Sequence, residues 1–224
     1  SDVCSSDLSE ILALPADCEI TQIDGKGIER YGLRFYSVKG YGPNIKWIPR
    51  VMIPVAKKAI RRLLSLSQHA RALAHWCEKY PDKFYRHELC PTVDEKAKLT
   101  VVQVCHALGY HLFDQKSCVL KIKRTSLDGG KSFLNHNDYN YSLSDLWEII
   151  SSNFSRDFPW YDKEKSIKFS NALCLLNTDQ FSLSRMTSIF TFYKPTKSFF
   201  FSDIQSKKSY EMNYKNIFSR YGYY

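Results

Sequence analysis

The chain has 224 residues, 44% of them hydrophobic and 15% aromatic, which is enough to bury a core and excludes a disordered polymer. No run approaches the roughly 18 consecutive apolar residues that a membrane-spanning helix requires, so no membrane partner is expected. The net charge of +9 is uneven: from Lys26 to Arg86 fourteen basic residues face three acidic ones, a local +11 that leaves the rest of the chain at about −2. Such concentration is the electrostatic footprint of a nucleic-acid binder, because solubility alone would be served by interspersed signs. The seven cysteines are odd in number and scattered through a chain too long to need disulfide staples, which points to a reducing cytoplasm.

In chain order, residues 1–8, Ser-Asp-Val-Cys-Ser-Ser-Asp-Leu, start without Met and lack the charged-then-apolar order of a secretory signal. Their back-translation resembles a sequencing-adapter oligonucleotide read in frame, against the alternative of a native Ser/Asp helix cap. On the first reading they are foreign, and the chain is an internal fragment. Ser9 to Leu14 reads as a helix end stopped by Pro15. Glu19 to Ile23 and Tyr31 to Val38 flank the turn Asp24-Gly-Lys-Gly27 as a β-hairpin, and Ile45 to Ile48 adds a third strand. Ile53 to Ser65 predicts an amphipathic helix with Ile53, Ala56, Ala59, Ile60, Leu63 and Leu64 on one stripe and Lys57, Lys58, Arg61 and Arg62 on the other. Like charges then meet at i,i+4 twice, a repulsion that an anionic partner would relieve. A second helix is expected from about Gln68 to Lys79, before Pro81.

Beyond Pro91, Leu99 to Gly109 predicts a short helix like the first half of a helix-turn-helix, with no recognition helix after it. Ser126 to Asn140 reads as a loop, and Ser142 to Asn153 as a helix capped by Ser144 with Leu146, Trp147, Ile149 and Ile150 inward. Ile167 to Leu176 is apolar, Ile189 to Tyr193 strand-like and Tyr210 to Ser219 an aromatic helix. The fold class expected is α+β, mainly helical, with a small antiparallel three-stranded sheet; 9–90 form one part and 91–224 a helical insert. His75, Cys77, His87 and Cys90 lack the paired spacing of a structural zinc site, so no metal is expected.

Two stretches carry a resemblance: Leu8-Ser-Glu-Ile-Leu-Ala-Leu-Pro15, and Leu33 to Pro49 with its Val38-Lys-Gly40 tip and Lys46-Trp-Ile-Pro49 strand. With the basic helix that follows, they resemble the first half of the catalytic domain of the tyrosine recombinases, the phage-integrase family. Tyr141 to Trp147, Phe158 to Asp162 and Lys168 to Leu173 resemble the insert of long mobile-element integrases in that family. The resemblance implies duplex DNA as substrate, covalent cleavage by a Tyr to give a 3′-phosphotyrosine, assembly as a multimer on DNA, and no cofactor, since the covalent bond conserves the energy for rejoining. It places the general-acid Lys, which protonates the leaving 5′-oxygen, at Lys39, with Lys46 as fallback. Arg34, Lys46, Arg50, Lys57, Lys58, Arg61 and Arg62 are the expected DNA contacts.

The family's Arg-x-Ser-Glu box would put an Arg two residues before Ser9, where Asp7 stands in the suspected adapter stretch. None of the six histidines has Arg three residues on, so the His-x-x-Arg box and its nucleophilic Tyr are missing. This chain is therefore expected to bind DNA without cleaving it. Two alternatives stay open: a non-enzymatic DNA-binding or regulatory module of a mobile element, and an RNA binder stacking bases on Tyr41 and Trp47.

Overall fold

The computed structural model describes residues 8–36, 43–110, 141–181 and 187–196. Lys39, the 126–140 loop and the 210–219 helix expected from sequence lie outside the described residues. Among those described, four helices and a three-stranded antiparallel sheet make an α+β fold. A short helix α1 (Leu8–Leu12) leads to β1 (Glu19–Ile23), β2 (Glu29–Tyr36) and β3 (Pro43–Trp47), paired in the order β1-β2-β3. The turn between β1 and β2 is built as its residues dictate: the Asp24 carboxylate accepts the N–H groups of Lys26 and Ile28 at 2.9 and 3.0 Å, and Gly27 takes φ +74°.

A 3₁₀ turn (Arg50–Met52) feeds α2 (Ile53–Lys79), the spine of the molecule. Pro54 sits in its first turn, where its missing N–H costs nothing. The break expected between Ser65 and Gln68 does not occur; one helix of 27 residues runs through. Ser67 is buried and its hydroxyl donates back to the Leu63 carbonyl at 2.9 Å, so it does not draw the backbone out of the helix. Arg71 spans the same place, donating to the Ser67 hydroxyl (3.1 Å) and the Leu64 carbonyl (3.0 Å), and Gln180 donates to the Leu66 carbonyl at 2.6 Å.

Successive turns of α2 enter three apolar clusters. Ile60 packs with Leu12, Leu14, Cys18 and Leu173, with Leu33 and Phe35 of β2 alongside, which seats the sheet on the helix. Ala70 and Ala74 meet Tyr161, Phe169 and Leu175; Leu73 and Cys77 enter the largest cluster with Phe84, Leu146, Trp147 and Ile150. The Tyr161 hydroxyl is shared between the carbonyls of Leu12 (2.6 Å) and Cys174 (3.0 Å), tying α1 to a segment about 160 residues away in the chain. Where sequence suggested a strand at 189–193, Tyr193 makes only an isolated bridge to Leu176, and 167–176 contains the two-residue β5 (Ile167–Lys168), paired with β4 (Trp160–Asp162), and a 3₁₀ turn.

Two shorter helices, α3 (Val101–Ala107) and α4 (Leu143–Ser152), complete the described residues. The cap of α4 is Ser142, not Ser144. Ser142 has an acid three residues on, and the pair closes a capping box: Asp145 N–H donates to Ser142 Oγ at 3.2 Å, and Asp145 Oδ2 accepts from Ser142 N–H at 2.7 Å. Ser144 has Trp147 at that spacing and instead donates to the Glu95 carbonyl at 3.1 Å. Ser142→Ala is expected to cost about 1 kcal/mol in thermal or urea unfolding. The bonds from Ser142 hold the Asp145 carboxyl below its ordinary 3.8, so this stabilisation is present above that value and fades as the pH falls through the lower folded one.

Candidate nucleic-acid interface

The exposed side of α2 inherits its chemistry from the 3.6-residue period. With Ile60 turned to the core, Lys58 and Arg61 stand exposed and Lys57 and Arg62 half-buried on the flanks. These four, with Ile53 and Pro54, line a groove of about 620 Å³, and every charged side chain described along it is a cation. Some cations elsewhere among the described residues pair with carboxylates: Arg34 with Asp17, Arg86 with Glu95, Lys98 with Asp145, Lys165 with Asp162 and Lys168 with Glu78. No described carboxylate lies within ion-pair range of Arg50, Lys57, Lys58 or Arg61.

Lys57 does have a seat. Its ammonium lies 5.1 Å from the centre of the Tyr31 ring, and the Tyr31 hydroxyl donates to Glu19 at 2.6 Å. Burial, followed by this bond to a carboxylate, pushes the Tyr31 phenol far above its ordinary 10.0, so it remains a neutral donor. The contact ties β1 and β2 to the basic face.

The expected contacts separate in space. Arg50, Lys57, Lys58, Arg61 and Arg62 gather along the start of α2 and the turn before it. Arg34 stands apart from that group: still exposed, its guanidinium donates one Nη2–H to the Asp17 carbonyl at 2.7 Å and sits 3.6 Å from the Asp17 carboxylate. Lys46 is half-buried, next to last in β3 and opposite Leu33. Lys39, the general acid implied by resemblance, lies outside the described residues. Two aromatic residues not expected as contacts in duplex binding also border this region, Tyr31 and Trp47; with Arg30 they line a second hollow of about 350 Å³ that shares Ile53 with the groove. Only the strand register, which sets Gly32 opposite Trp47, brings them there.

Gly32 matters because it leaves room for that indole. A Cβ at position 32 would lie 2.9 Å from Trp47 Cε3 and 2.9 Å from Ile45 Cγ2, closer than van der Waals contact allows. Gly32→Ala is expected to force the ring aside and destabilise the chain by about 1–3 kcal/mol. Thermal unfolding would record this as a Tm lower by about 2–4 °C per kcal/mol.

The remaining described cysteines and histidines do not gather as a metal site. Cys18 and Cys174 are buried and their thiols are pushed up to about 12 by that burial, which leaves them protonated. Cys77 is buried while His75, two residues before it on α2, is exposed, and among the described residues no three His, Cys, Asp or Glu side chains gather as a metal site. No described helix is long and apolar enough to cross a membrane. No protein-family model, curated protein or solved structure matches this chain.

Proposed function

We propose that this chain is a DNA-binding part of a site-specific recombinase of the tyrosine-recombinase type, and that its contact with duplex DNA runs along the first half of α2. The observation that carries the reading is the concentration of Arg50, Lys57, Lys58 and Arg61 on one surface, with Arg62 beside them and every charged side chain described along the groove a cation. Like charges kept at i,i+4 on an exposed helix face raise the energy of the free protein and are relieved when phosphates lie between them. The reading is supported by the order of a three-stranded sheet ending in β3 (Pro43–Trp47) followed by the basic helix α2. The resemblance makes Lys39 the general acid that protonates the leaving 5′-oxygen.

Phosphate contact of this kind positions DNA without reading its sequence. Binding of a labelled duplex, followed by fluorescence anisotropy at stepped salt, is expected to weaken linearly on a log–log scale with a slope near −0.9 for each phosphate engaged. Affinity that ignores salt, or a firm preference for single strands, overturns the reading. Whether cleavage belongs to the protein is decided by its reading frame: an Arg-x-Ser-Glu box ahead of the described sheet and a His-x-x-Arg box followed by Tyr after residue 224 support an enzyme, and a full frame with neither leaves a non-enzymatic DNA-binding module.

A further inference from the structure

We infer that the hollow beside the groove is a second phosphate site, in which Arg30, laid on the Trp47 ring, grips the DNA backbone beyond the reach of α2. This rests on the proposed duplex binding and extends it to a different element, the β-sheet. The Arg30 guanidinium carbon stands 4.8 Å from the centre of the Trp47 ring. At that distance the cation is held by the electron-rich face of the indole, and its five N–H donors lie in the guanidinium plane, open to an oxyanion. No described carboxylate or carbonyl accepts those donors, although Arg34, four residues on in the same strand, donates one of its own to Asp17. Trp47 is held in turn by its close approach to Gly32, so the platform under the guanidinium does not swing freely.

Such an arrangement fits phosphate. A tetrahedral oxyanion accepts two parallel N–H bonds from one guanidinium edge, while the ring holds the other face and supplies the orientation in advance. Arg50 borders the same hollow and adds a second cation. Two carboxylates border it as well. Asp24 accepts the N–H groups of Ile28 and Lys26 and, with Arg30 also near, stays ionised, so both it and the exposed Glu29 oppose an anion there and the two arginines must outweigh them at the phosphate itself. Because the Trp47 ring face already carries Arg30, it is not a platform for an unpaired base, which favours a duplex backbone over a single strand. Sharing Ile53, the hollow and the groove form one track that bends from the hairpin onto α2.

The test uses the full chain and a fluorescein-labelled duplex of mixed sequence in stepped salt. Arg30→Gln is expected to weaken binding at low salt by about three- to tenfold and to reduce the salt slope by about 1, as the loss of one phosphate contact should. Arg30→Lys keeps the charge without the fork and is expected to fall between the two. Glu29→Gln removes the opposing charge and is expected to tighten binding. Far-UV circular dichroism checks that each exposed substitution leaves the fold intact. Arg30→Gln binding with wild-type affinity and slope, while Lys58→Gln weakens binding, overturns the clamp and leaves the α2 surface standing. A wild-type chain that binds no duplex, or binds it regardless of salt, overturns the parent reading and the clamp together.

Discussion

Replacing Arg50, Lys58 and Arg61 together by Gln is expected to remove most of the duplex affinity and most of its salt dependence while leaving the chain no less stable. The five contacts of the α2 surface, counting Lys57 and Arg62 and leaving Arg30 aside, predict a loss of about 500-fold in affinity between 50 and 200 mM salt, because each contributes about 0.9 to the slope. With three removed, the expected loss over the same range is about twelvefold. Stability should move slightly the other way. Arg61→Gln and Lys58→Gln each break one like-charge pair on α2, Lys57 with Arg61 and Lys58 with Arg62, and each pair costs a few tenths of a kcal/mol. None of the three side chains makes an ion pair with a described carboxylate. Weaker binding by an equally or more stable protein is the signature of residues kept for a partner. A variant that unfolds early, or one that binds DNA with the wild-type slope, would instead assign these cations a role within the chain. Anisotropy titrations and a thermal melt on the same preparation separate the outcomes.

Phe84→Ala is expected to be the most damaging single truncation, at about 3–5 kcal/mol, since deletion of a buried ring removes its transfer energy and leaves a cavity. Phe84 is fully buried, and its ring centre lies 5.9 Å from that of Trp147 and 5.2 Å from that of Phe190. It therefore holds α4 and the 187–196 segment to the end of α2. Trp147 anchors the other side of the same corner, its indole N–H donating to the Pro81 carbonyl at 2.6 Å. Urea unfolding followed by circular dichroism measures the cost, and a loss under 1 kcal/mol would mean that the cluster closes around the gap. The basic face begins at the far end of a helix of 27 residues, so the truncation should lower stability without altering the salt slope of the molecules that remain folded.

Local chemistry carried much of the sheet and the basic face. Asp24 and Gly27 specify their turn through their own side-chain and backbone preferences, and three short β-rich runs have few ways to pair across so tight a connection. The amphipathic period of α2 was legible in part: Ile60 lies inward and Lys58 and Arg61 outward as expected, but Ala59 of the expected apolar stripe is exposed and Lys57 and Arg62 are half-buried like Leu63 and Leu64. The continuity of that helix past Ser65 was not legible. Ser favours helix ends when it is alone, and it stays within the helix here because Arg71 and Gln180 bond to the backbone around it from one and many turns away. The same holds for Arg34: nothing near it in sequence distinguishes it from Arg30, yet one donates to Asp17 and the other rests on Trp47.

From the order of residues alone come the α+β class, the meander, the amphipathic faces and the excess of positive charge between Lys26 and Arg86, because each arises from neighbours within a turn or a hairpin. Which of those charges face outward together depends on contacts among residues far apart in the chain. Leu33 and Phe35 of β2 with Leu173 and Cys174 beside Ile60, and Tyr161 bonded to Leu12, hold the sheet, α1 and α2 against one another. Packing of that kind has no local signature, since any apolar side chain of similar size would look the same in sequence. It is this packing that turns a basic stretch of chain into a groove and an adjoining hollow lined by Arg30, Arg50, Lys57, Lys58, Arg61 and Arg62.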